Sequence, residues 1–376
     1  MVRRYPRASY ILGLFGGLLL ITDHRPTHSH NMTTPATTAE YFIPKFEGIE
    51  NLTPRESPLS FPKDNEVLVK IHAVSLNYRD IAAVTGVYPG LKSDLVPCSD
   101  MAGEVVVVGK EVKNWKKGDR VTSNFALDHL FGDVTKEQKA TSLGAPIDGV
   151  LTQYRNFPAH SLVKIPEYLT FEEASTLPCA AVTAWNAFLG PVPLKGGDTV
   201  LIQGTGGVSI FGLQIAAAMG ATVIATSSSD AKLELAKQLG ATFVINYKTH
   251  PNWDEEVLKL TNGRGADHIL EIGGAGTLGK SINAARMAGW IHSIGFLAGD
   301  DTTMSDTILK LIHKAIIYRS ILVGSRTQFE DMNRLFERSQ IHPVIDRVFP
   351  FDQAKQAYEY LASQKHVGKI VIKVSN

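Results

Sequence analysis

The chain has 376 residues, of which 44% are hydrophobic and 20% charged, so it is long enough and apolar enough to form two domains. Its 38 basic residues nearly balance 37 acidic ones, and a formal net charge of +1 gives no field that would hold nucleic acid. Cys98 and Cys179 are the only cysteines, which excludes a disulfide scaffold and a zinc site of four thiolates. We therefore expect a protein of a reducing compartment, the cytoplasm, with no nucleic-acid partner.

The N-terminus departs from this composition. Three arginines precede an acid-free apolar run at residues 8–21, which is the pattern of a signal peptide. The run is shorter than the roughly 18 to 20 residues that a membrane span requires, so membrane association is expected only if it is a genuine signal. The alternative is a mis-assigned start, because Met32 opens a polar stretch that leads into the first folded segment near Tyr41. Residues 1–40 are therefore predicted to be an extension.

The segment that follows has the pattern of a β-rich module. EVLVKIHAV at residues 66–74 alternates apolar with polar or small residues, and MAGEVVVVG at residues 101–109 is a β-branched run closed by glycine. KKGDRV at residues 116–121 adds a turn signal. A helix is then predicted to begin with Thr170 as its N-cap and to bend at Pro178.

From Thr199 onward, short apolar runs alternate with amphipathic segments, which indicates a parallel sheet with helices on both faces. After about residue 325 the pattern becomes mixed and ends in the strand KIVIKV, which we expect to return to the first module. The prediction is an α/β chain with a β-rich module at residues 41–180 and 326–376 and a doubly wound module at residues 181–325.

A glycine motif, GTGGVS at residues 204–209, directly follows a predicted strand and opens a predicted helix. Gly204 permits a tight turn, Gly206 lets the backbone approach a pyrophosphate, and the helix N-terminus offers free amides. The usual third glycine is Ser209, which is small enough to pack. Gly204, Gly206, Gly207 and Val208 are therefore predicted to bind a dinucleotide.

The end of the second strand of this module distinguishes NAD from NADP. An acidic residue there would bind the NAD ribose, but the chain has Thr226 followed by three serines, and Asp230 is expected to cap the next helix. Ser227 and Ser228 can donate hydrogen bonds to a 2′-phosphate, and Lys232 can supply a cation, although alone it would be a solvated helix lysine. The pattern favours NADP, hence NADPH as the reductant.

Two later segments end strands at the same predicted edge of the sheet. EIGGAGT at residues 271–277 and IGF at residues 294–296 are each compatible with an ordinary turn. Because the carboxyl ends of such strands form the ligand crevice, Gly273 and Phe296 are predicted to contact the cofactor.

Four separated motifs together resemble one superfamily. They are NYRD at residues 77–80, GEVVVVG at 103–109, EEASTLPCAAVTAWNAF at 172–188 and GTGGVS at 204–209. Their order, with the returning C-terminal tail, resembles the medium-chain dehydrogenase/reductase superfamily and, within it, the zinc-independent quinone oxidoreductase and enoyl reductase-like branch, whose relatives are labelled zinc-type alcohol dehydrogenase-like. The resemblance implies a GroES-like catalytic module, a Rossmann cofactor module, an active site in the cleft between them, and a homodimer.

In zinc-dependent members of that superfamily two cysteines and a histidine hold the metal. The corresponding segments place Asn77, Ser99 and Cys179 at those positions, and a catalytic zinc ordinarily needs three protein ligands. A rearranged site of Cys98, Cys179 and Asp100 is the alternative, but both cysteines are more simply small buried residues. No metal is predicted.

Without a metal, reduction of a simple carbonyl loses the Lewis acid that would stabilise the alkoxide. Hydride addition to an enone or a quinone spreads the charge into an enolate or phenolate, for which hydrogen-bond donors suffice. The resemblance implies that Asn77 and Tyr88 line the substrate pocket and that Thr183 lies by the nicotinamide. The residues themselves are equally compatible with a loop cap, a partly buried aromatic and a helix hydroxyl.

The resemblance also implies that the 2′-phosphate meets Ser227, Lys232 and Tyr247. Ser325 is predicted to close over the cofactor together with Arg326, which is equally compatible with a surface position. The sequence thus predicts an NADPH-dependent, metal-free oxidoreductase acting on a quinone or an α,β-unsaturated carbonyl compound. An alcohol dehydrogenase or carbonyl reductase and a non-catalytic NADP-binding protein are the alternatives.

Overall fold

A computed structural model describes residues 35–295 and 304–375. The predicted signal run, the alternative start at Met32 and the predicted cofactor residue Phe296 lie outside the described residues. The first strand begins at Thr37 and so includes residues that the sequence assigned to the extension. Within the described ranges, no helix combines the length and apolar character that a membrane crossing demands.

The strands of the described ranges are β1 Thr37–Phe42, β2 Thr53–Pro58, β3 Glu66–Ser75, β4 Asp100–Val108, β5 Arg120–Ser123, β6 Tyr154–Pro158, β7 Leu162–Lys164, β8 Thr199–Gln203, β9 Thr222–Ser227, β10 Phe243–Asn246, β11 Ala266–Glu271, β12 Ala285–Ser293, β13 Ile317–Ser320, β14 Ile345–Pro350 and β15 Lys369–Lys373. The α-helices are α1 Tyr78–Val84, α2 Lys136–Lys139, α3 Phe171–Ala174, α4 Val182–Phe188, α5 Gly207–Ala218, α6 Asp230–Gln238, α7 Trp253–Leu260, α8 Ala275–Ala284, α9 Met304–His313, α10 Arg326–Ser339 and α11 Ala354–Ala362.

A seven-stranded sheet carries the N-terminal and C-terminal parts of the chain. Its order is β14-β15-β3-β4-β5-β7, with β6 beside β3. The C-terminal strand β15 pairs antiparallel with β3, so the tail returns to the first module as predicted. Most of β3 is buried, and its apolar residues lie in a core with residues of β4 and α11.

A six-stranded parallel sheet forms the other module, in the order β10-β9-β8-β11-β12-β13. After β8, the chain forms β9 and β10 on one side of it. The next strand, β11, pairs with the other side of β8. The strand order therefore reverses between β8 and β11, which is where doubly wound sheets bind ligands. The predicted fold class, a GroES-like β-rich module with a Rossmann sheet, is confirmed.

The segment between the two sheets is less regular than predicted. Thr170 caps α3 through a reciprocal hydrogen-bond pair with Glu173, as expected. The predicted helix then breaks into a π-helical turn at Leu177–Ala181 before α4, because Pro178 has no amide hydrogen for a regular helical bond.

Candidate active site

The glycine loop after β8 has the backbone geometry of a dinucleotide cradle. Gly204 has φ +73° and donates its amide to the Thr226 carbonyl oxygen at 2.9 Å, a conformation that favours glycine. A Cβ placed on Gly206 would meet no atom within 4 Å, so the space above it is open. The first-turn amides of α5 have no intrahelical partner and can bind a phosphate. These residues fit the predicted dinucleotide.

The third glycine of such motifs lets the helix pack closely on the sheet, and here that role is filled by Gly212, one turn after Ser209. Ser209 is buried and its hydroxyl donates to the Gln203 carbonyl oxygen at 2.7 Å, which ties the helix to the end of β8. A Cβ on Gly212 would lie 2.3 Å from Leu270 Cδ1, so α5 packs closely against β11 at Gly212. Sequence reasoning missed Gly212, although it follows Ser209 at helical spacing.

The C-terminal segment packs directly on this loop. The Gly368 amide donates to the Thr205 carbonyl oxygen at 2.9 Å. A Cβ on Gly207 would lie 2.6 Å from Lys369 Cδ and 3.4 Å from Ala180 Cβ. The aliphatic part of Lys369 therefore runs across the glycine loop toward the β-rich module.

Lys369 reaches the predicted catalytic residue Asn77, and sequence reasoning missed it. The side chain is only 3% exposed. Its Nζ donates to Asn77 Oδ1 at 2.7 Å and to the Leu76 carbonyl oxygen. Asn77 Nδ2 is buried without a hydrogen-bond partner within the described ranges. Asn77 is also the N-cap of α1, as the alternative prediction of a loop cap expected. Its backbone amide donates to Asp80 Oδ2 at 2.8 Å.

Two fully buried carboxyl groups lie beside these residues. Asp100 accepts from the Ser99 hydroxyl at 2.6 Å and from the Cys179 amide at 3.1 Å. Burial raises the pKa of Asp100, an effect that Lys369 opposes. Burial also raises the pKa of Asp80, to about 6, although the Arg79 charge opposes the shift. We call this buried group of charged and polar side chains the cleft cluster; it consists of Asn77, Asp80, Asp100 and Lys369. No local sequence motif predicts it.

The other two predicted catalytic residues, Tyr88 and Thr183, lie on different elements. The Arg79 guanidinium lies 4.5 Å from the ring centroid of half-buried Tyr88 and is held by the Leu143 carbonyl oxygen at 3.0 Å. Thr183 is 4% exposed and lies in α4, one turn after Ala180. Tyr88 therefore shares a contact with α1, and Thr183 belongs to the helix beside the glycine loop.

The donors in the cleft do not fit a zinc ion. Of the three positions that the family resemblance matches to zinc ligands, only Cys179 offers sulfur, and burial together with Asp100 raises the pKa of its thiol to about 12. Asn77 Oδ1 already accepts from a cationic ammonium, which would repel a metal. Cys98 is buried against the Tyr358 hydroxyl. Across residues 35–295 and 304–375, no three His, Cys, Asp or Glu side chains are grouped to hold a metal.

The predicted 2′-phosphate residues surround the end of β9. Ser227 is buried, Ser228 is half-buried, and the amide of exposed Tyr247 donates to the Ser227 carbonyl oxygen at 3.0 Å. Lys232 Nζ donates to the His366 carbonyl oxygen at 2.9 Å and the Gln364 carbonyl oxygen at 3.3 Å. An ammonium has three donors, so one remains for a phosphate.

One local prediction at this edge was wrong. Ser229, in an extended conformation, occupies the N-cap position of α6, and Asp230 is the first helical residue instead. The Asp230 carboxylate accepts from Asn246 Nδ2 at 2.7 Å, which holds it against β10.

The remaining predicted cofactor residues have local partners. Gly273 lies in the turn between β11 and α8, and its amide donates to Glu271 Oε1 at 2.9 Å. Ser325 is 1% exposed and caps α10, with its hydroxyl accepting from the Gln328 amide. Arg326 donates to the His160 carbonyl oxygen at 2.7 Å. These contacts give Ser325 a structural role and do not test its predicted contact with the cofactor.

Comparisons with known proteins agree with this architecture. Residues 63–167 match the family described as alcohol dehydrogenase GroES-like domain, and residues 207–338 match the family described as zinc-binding dehydrogenase. A zinc-type alcohol dehydrogenase-like protein of Schizosaccharomyces pombe is 47% identical over 336 residues, covering 88% of this chain and 97% of that protein.

Two further proteins carry different activities in their names. A quinone oxidoreductase of Pseudomonas aeruginosa is 30% identical, with 87% of this chain and 97% of that protein covered. The solved structure of an NAD-dependent alcohol dehydrogenase is 30% identical with a TM-score of 0.82, covering 90% of this chain and 100% of that one. The chain belongs to the medium-chain dehydrogenase/reductase superfamily of oxidoreductases.

Proposed function

We propose that this protein is an NADPH-dependent, metal-free reductase that transfers hydride to a quinone or an α,β-unsaturated carbonyl compound. The observation that carries the proposal is the contact of Lys369 with both Gly207 and Asn77. An ammonium and an amide, rather than metal ligands, thus occupy the cleft beside the glycine loop. The name of the Pseudomonas aeruginosa relative supports the quinone alternative.

Bound NADPH supplies the hydride. The glycine loop and the start of α5 would hold its pyrophosphate, with Thr183 near the nicotinamide. Hydride addition at the β-carbon of an enone moves negative charge onto the carbonyl oxygen, and a proton from water completes the reduction. The buried positive charge of Lys369 and the Asn77 amide favour that anion without a Lewis acid.

The preference for NADPH is supported by Ser227, Ser228 and the remaining donor of Lys232 at the end of β9. Tyr247 contributes to the same surface. Asp230, the acid that follows these serines in the sequence, is engaged by Asn246, which weakens its competition for a ribose hydroxyl.

A substrate panel tests the proposal. Consumption of NADPH and NADH is followed with a benzoquinone, an enone and the saturated aldehyde of matched carbon number, each with and without a chelator. We expect kcat/KM for the quinone or the enone with NADPH to exceed that for the aldehyde by at least about tenfold, which corresponds to roughly 1.4 kcal/mol. The chelator should leave the rate unchanged.

Two outcomes would replace the proposal with its alternatives. Faster turnover of the aldehyde, or of the corresponding alcohol with the oxidised cofactor, would favour an alcohol dehydrogenase, as in the name of the 30% identical solved structure. Tight NADPH binding without hydride loss to any substrate would favour a non-catalytic binding protein. The implied homodimer stays a prediction, which analytical ultracentrifugation tests.

A further inference from the structure

One buried carboxylate lies at the point where the strand order of the parallel sheet reverses. Glu271 ends β11 and Gln203 ends the neighbouring strand β8. Glu271 is 0% exposed, and Gln203 Nε2 donates to its Oε2 at 2.9 Å. The two side chains therefore link the strand ends that border the predicted ligand crevice.

Glu271 accepts hydrogen bonds from backbone amides of the turn that follows it. Its Oε1 accepts from the amides of Gly273 and Gly274, each at 2.9 Å, and from the Thr277 hydroxyl. Gln203 Oε1 accepts from the Ile272 amide at 3.1 Å. Every amide of the turn at residues 272–274 is thus used within the protein.

The two loops at this crevice consequently have opposite hydrogen-bonding character. The start of α5 leaves amide donors free, which suits a phosphate. In the described part of the chain, the Gly273 carbonyl oxygen accepts no hydrogen bond, and the residue is half-buried. The turn at residues 272–274 therefore presents an acceptor, which suits a hydroxyl or an amide NH₂ rather than a phosphate.

The charge of Glu271 has no ionic partner within the described ranges. Its contacts are neutral donors, including the Ser281 hydroxyl at Oε2. The Glu271 carboxylate accepts hydrogen bonds at both of its oxygens. It favours a positive charge placed in the adjoining crevice, because screening by water is weak there.

We propose that Glu271 is a positioning residue for the nicotinamide half of the cofactor. It holds the turn at residues 272–274 with an acceptor toward the crevice, where a ribose hydroxyl or the carboxamide can donate, and its charge favours the cationic, oxidised ring. The inference rests on the proposed cofactor role and is independent of the substrate.

Direct binding tests it without turnover. Glu271→Gln keeps the size of the side chain and removes its charge. NADP⁺, NADPH and adenosine 2′,5′-bisphosphate, which lacks both the nicotinamide and its ribose, are titrated by calorimetry. We expect NADP⁺ to bind about tenfold more weakly and NADPH to lose less, because only the oxidised ring is cationic, while adenosine 2′,5′-bisphosphate changes by no more than about twofold.

Asp267→Asn is the matched control. Asp267 lies at the opposite end of β11, is 1% exposed, and accepts from Arg264 at 2.7 Å and the Thr199 amide at 2.9 Å. We expect both this variant and Glu271→Gln to lower Tm, but Asp267→Asn should not change the affinity for any of the three ligands. The comparison separates a loss of stability from a loss of positioning.

Two results would overturn the inference: an equal loss for all three ligands in Glu271→Gln, or an unchanged NADP⁺ affinity. If that variant does not fold, Thr277→Val removes one donor from Oε1 and is titrated in the same way. If Thr277→Val then binds NADP⁺ and NADPH as tightly as the unaltered protein does, the inference is overturned. A protein that prefers NADH is tested with NAD⁺, NADH and ADP, so a failed NADPH preference is recognised separately.

Discussion

The glycine loop and the cleft cluster meet at Lys369, but the chain specifies them in different ways. The glycine loop consists of consecutive residues, and its geometry depends on backbone conformation, as the positive φ of Gly204 shows. The cleft cluster brings together side chains that are distant in sequence; Lys369 and Asn77 are separated by 292 positions. A local site of this kind can be recognised from a short motif, whereas an assembled site needs the fold.

The largest expected effect comes from breaking the assembled site. Lys369→Met should lower the free energy of unfolding by about 2–5 kcal/mol, because the Leu76 carbonyl oxygen and Asn77 Oδ1 lose their donor in a buried position. Turnover should fall as well. Urea unfolding measures the first effect, and Lys373→Met, on the exposed side of the same strand, is the control that should change stability by less than about 0.5 kcal/mol. Equal losses in both variants would contradict the account.

The pH dependence of the cleft cluster gives the next effect. The pKa of Asp80 is raised to about 6 in the folded protein, above its usual value of 3.8, so the folded state binds a proton more tightly than the unfolded state. Its contribution to stability therefore falls as pH rises from about 4 to about 6. Asp80→Asn should gain stability relative to the unaltered protein by about 2–3 kcal/mol over that range. Urea unfolding at several pH values tests this, and a constant difference would contradict it.

A pair of substitutions separates the packing role of the glycine motif from its ligand-binding role. Gly212→Ala should lower stability by about 1–3 kcal/mol, because the added methyl group meets Leu270, and should leave NADPH affinity intact once folded. Gly206→Ala has open space around it, so it should fold normally but bind NADPH at least about tenfold more weakly, because the methyl group occupies ligand space. Thermal melts and NADPH titrations of both variants test the division. Loss of stability in Gly206→Ala would contradict it.

The smallest expected effect concerns cofactor preference at the rim. Lys232→Ala should reduce the preference for NADPH over NADH by about tenfold, since a charge-assisted bond open to solvent contributes about 1.4 kcal/mol. NADH affinity should hardly change. Lys237→Ala, on the same helix with its ammonium beside Glu234, is the control.

Ser227→Asp should reduce the preference further or reverse it, because the new charge repels a 2′-phosphate and offers an acceptor to the ribose. Competition titrations with both cofactors measure these changes. Equal weakening of NADH and NADPH by Lys232→Ala would show that the 2′-phosphate pocket is wrongly assigned.

The parallel sheet followed closely from the sequence because its strands are short apolar runs between amphipathic helices. Its first strand along the chain, β8, begins at Thr199, where the predicted alternation starts. Asn77, Tyr88 and Cys179 drew attention through the family resemblance. Lys369 did not, because a lysine at the start of a strand is compatible with a solvated strand end, and only the packing of β15 on the glycine loop buries it. Glu271 was not singled out either, because a glutamate at the end of a strand is also compatible with a solvated position and only the fold buries it. Its importance comes from the turn that folds back over it.

The claim of a metal-free hydride transfer is tested most directly by zinc content and NADPH-dependent enone or quinone turnover measured on one preparation. The family resemblance matches Asn77 and Ser99 to two of the three zinc-ligand positions, and neutral amide or hydroxyl groups bind zinc poorly. We predict far less than one zinc per chain, with turnover unaffected by a chelator. One zinc per chain, with turnover lost on chelation and restored by added zinc, would contradict the account.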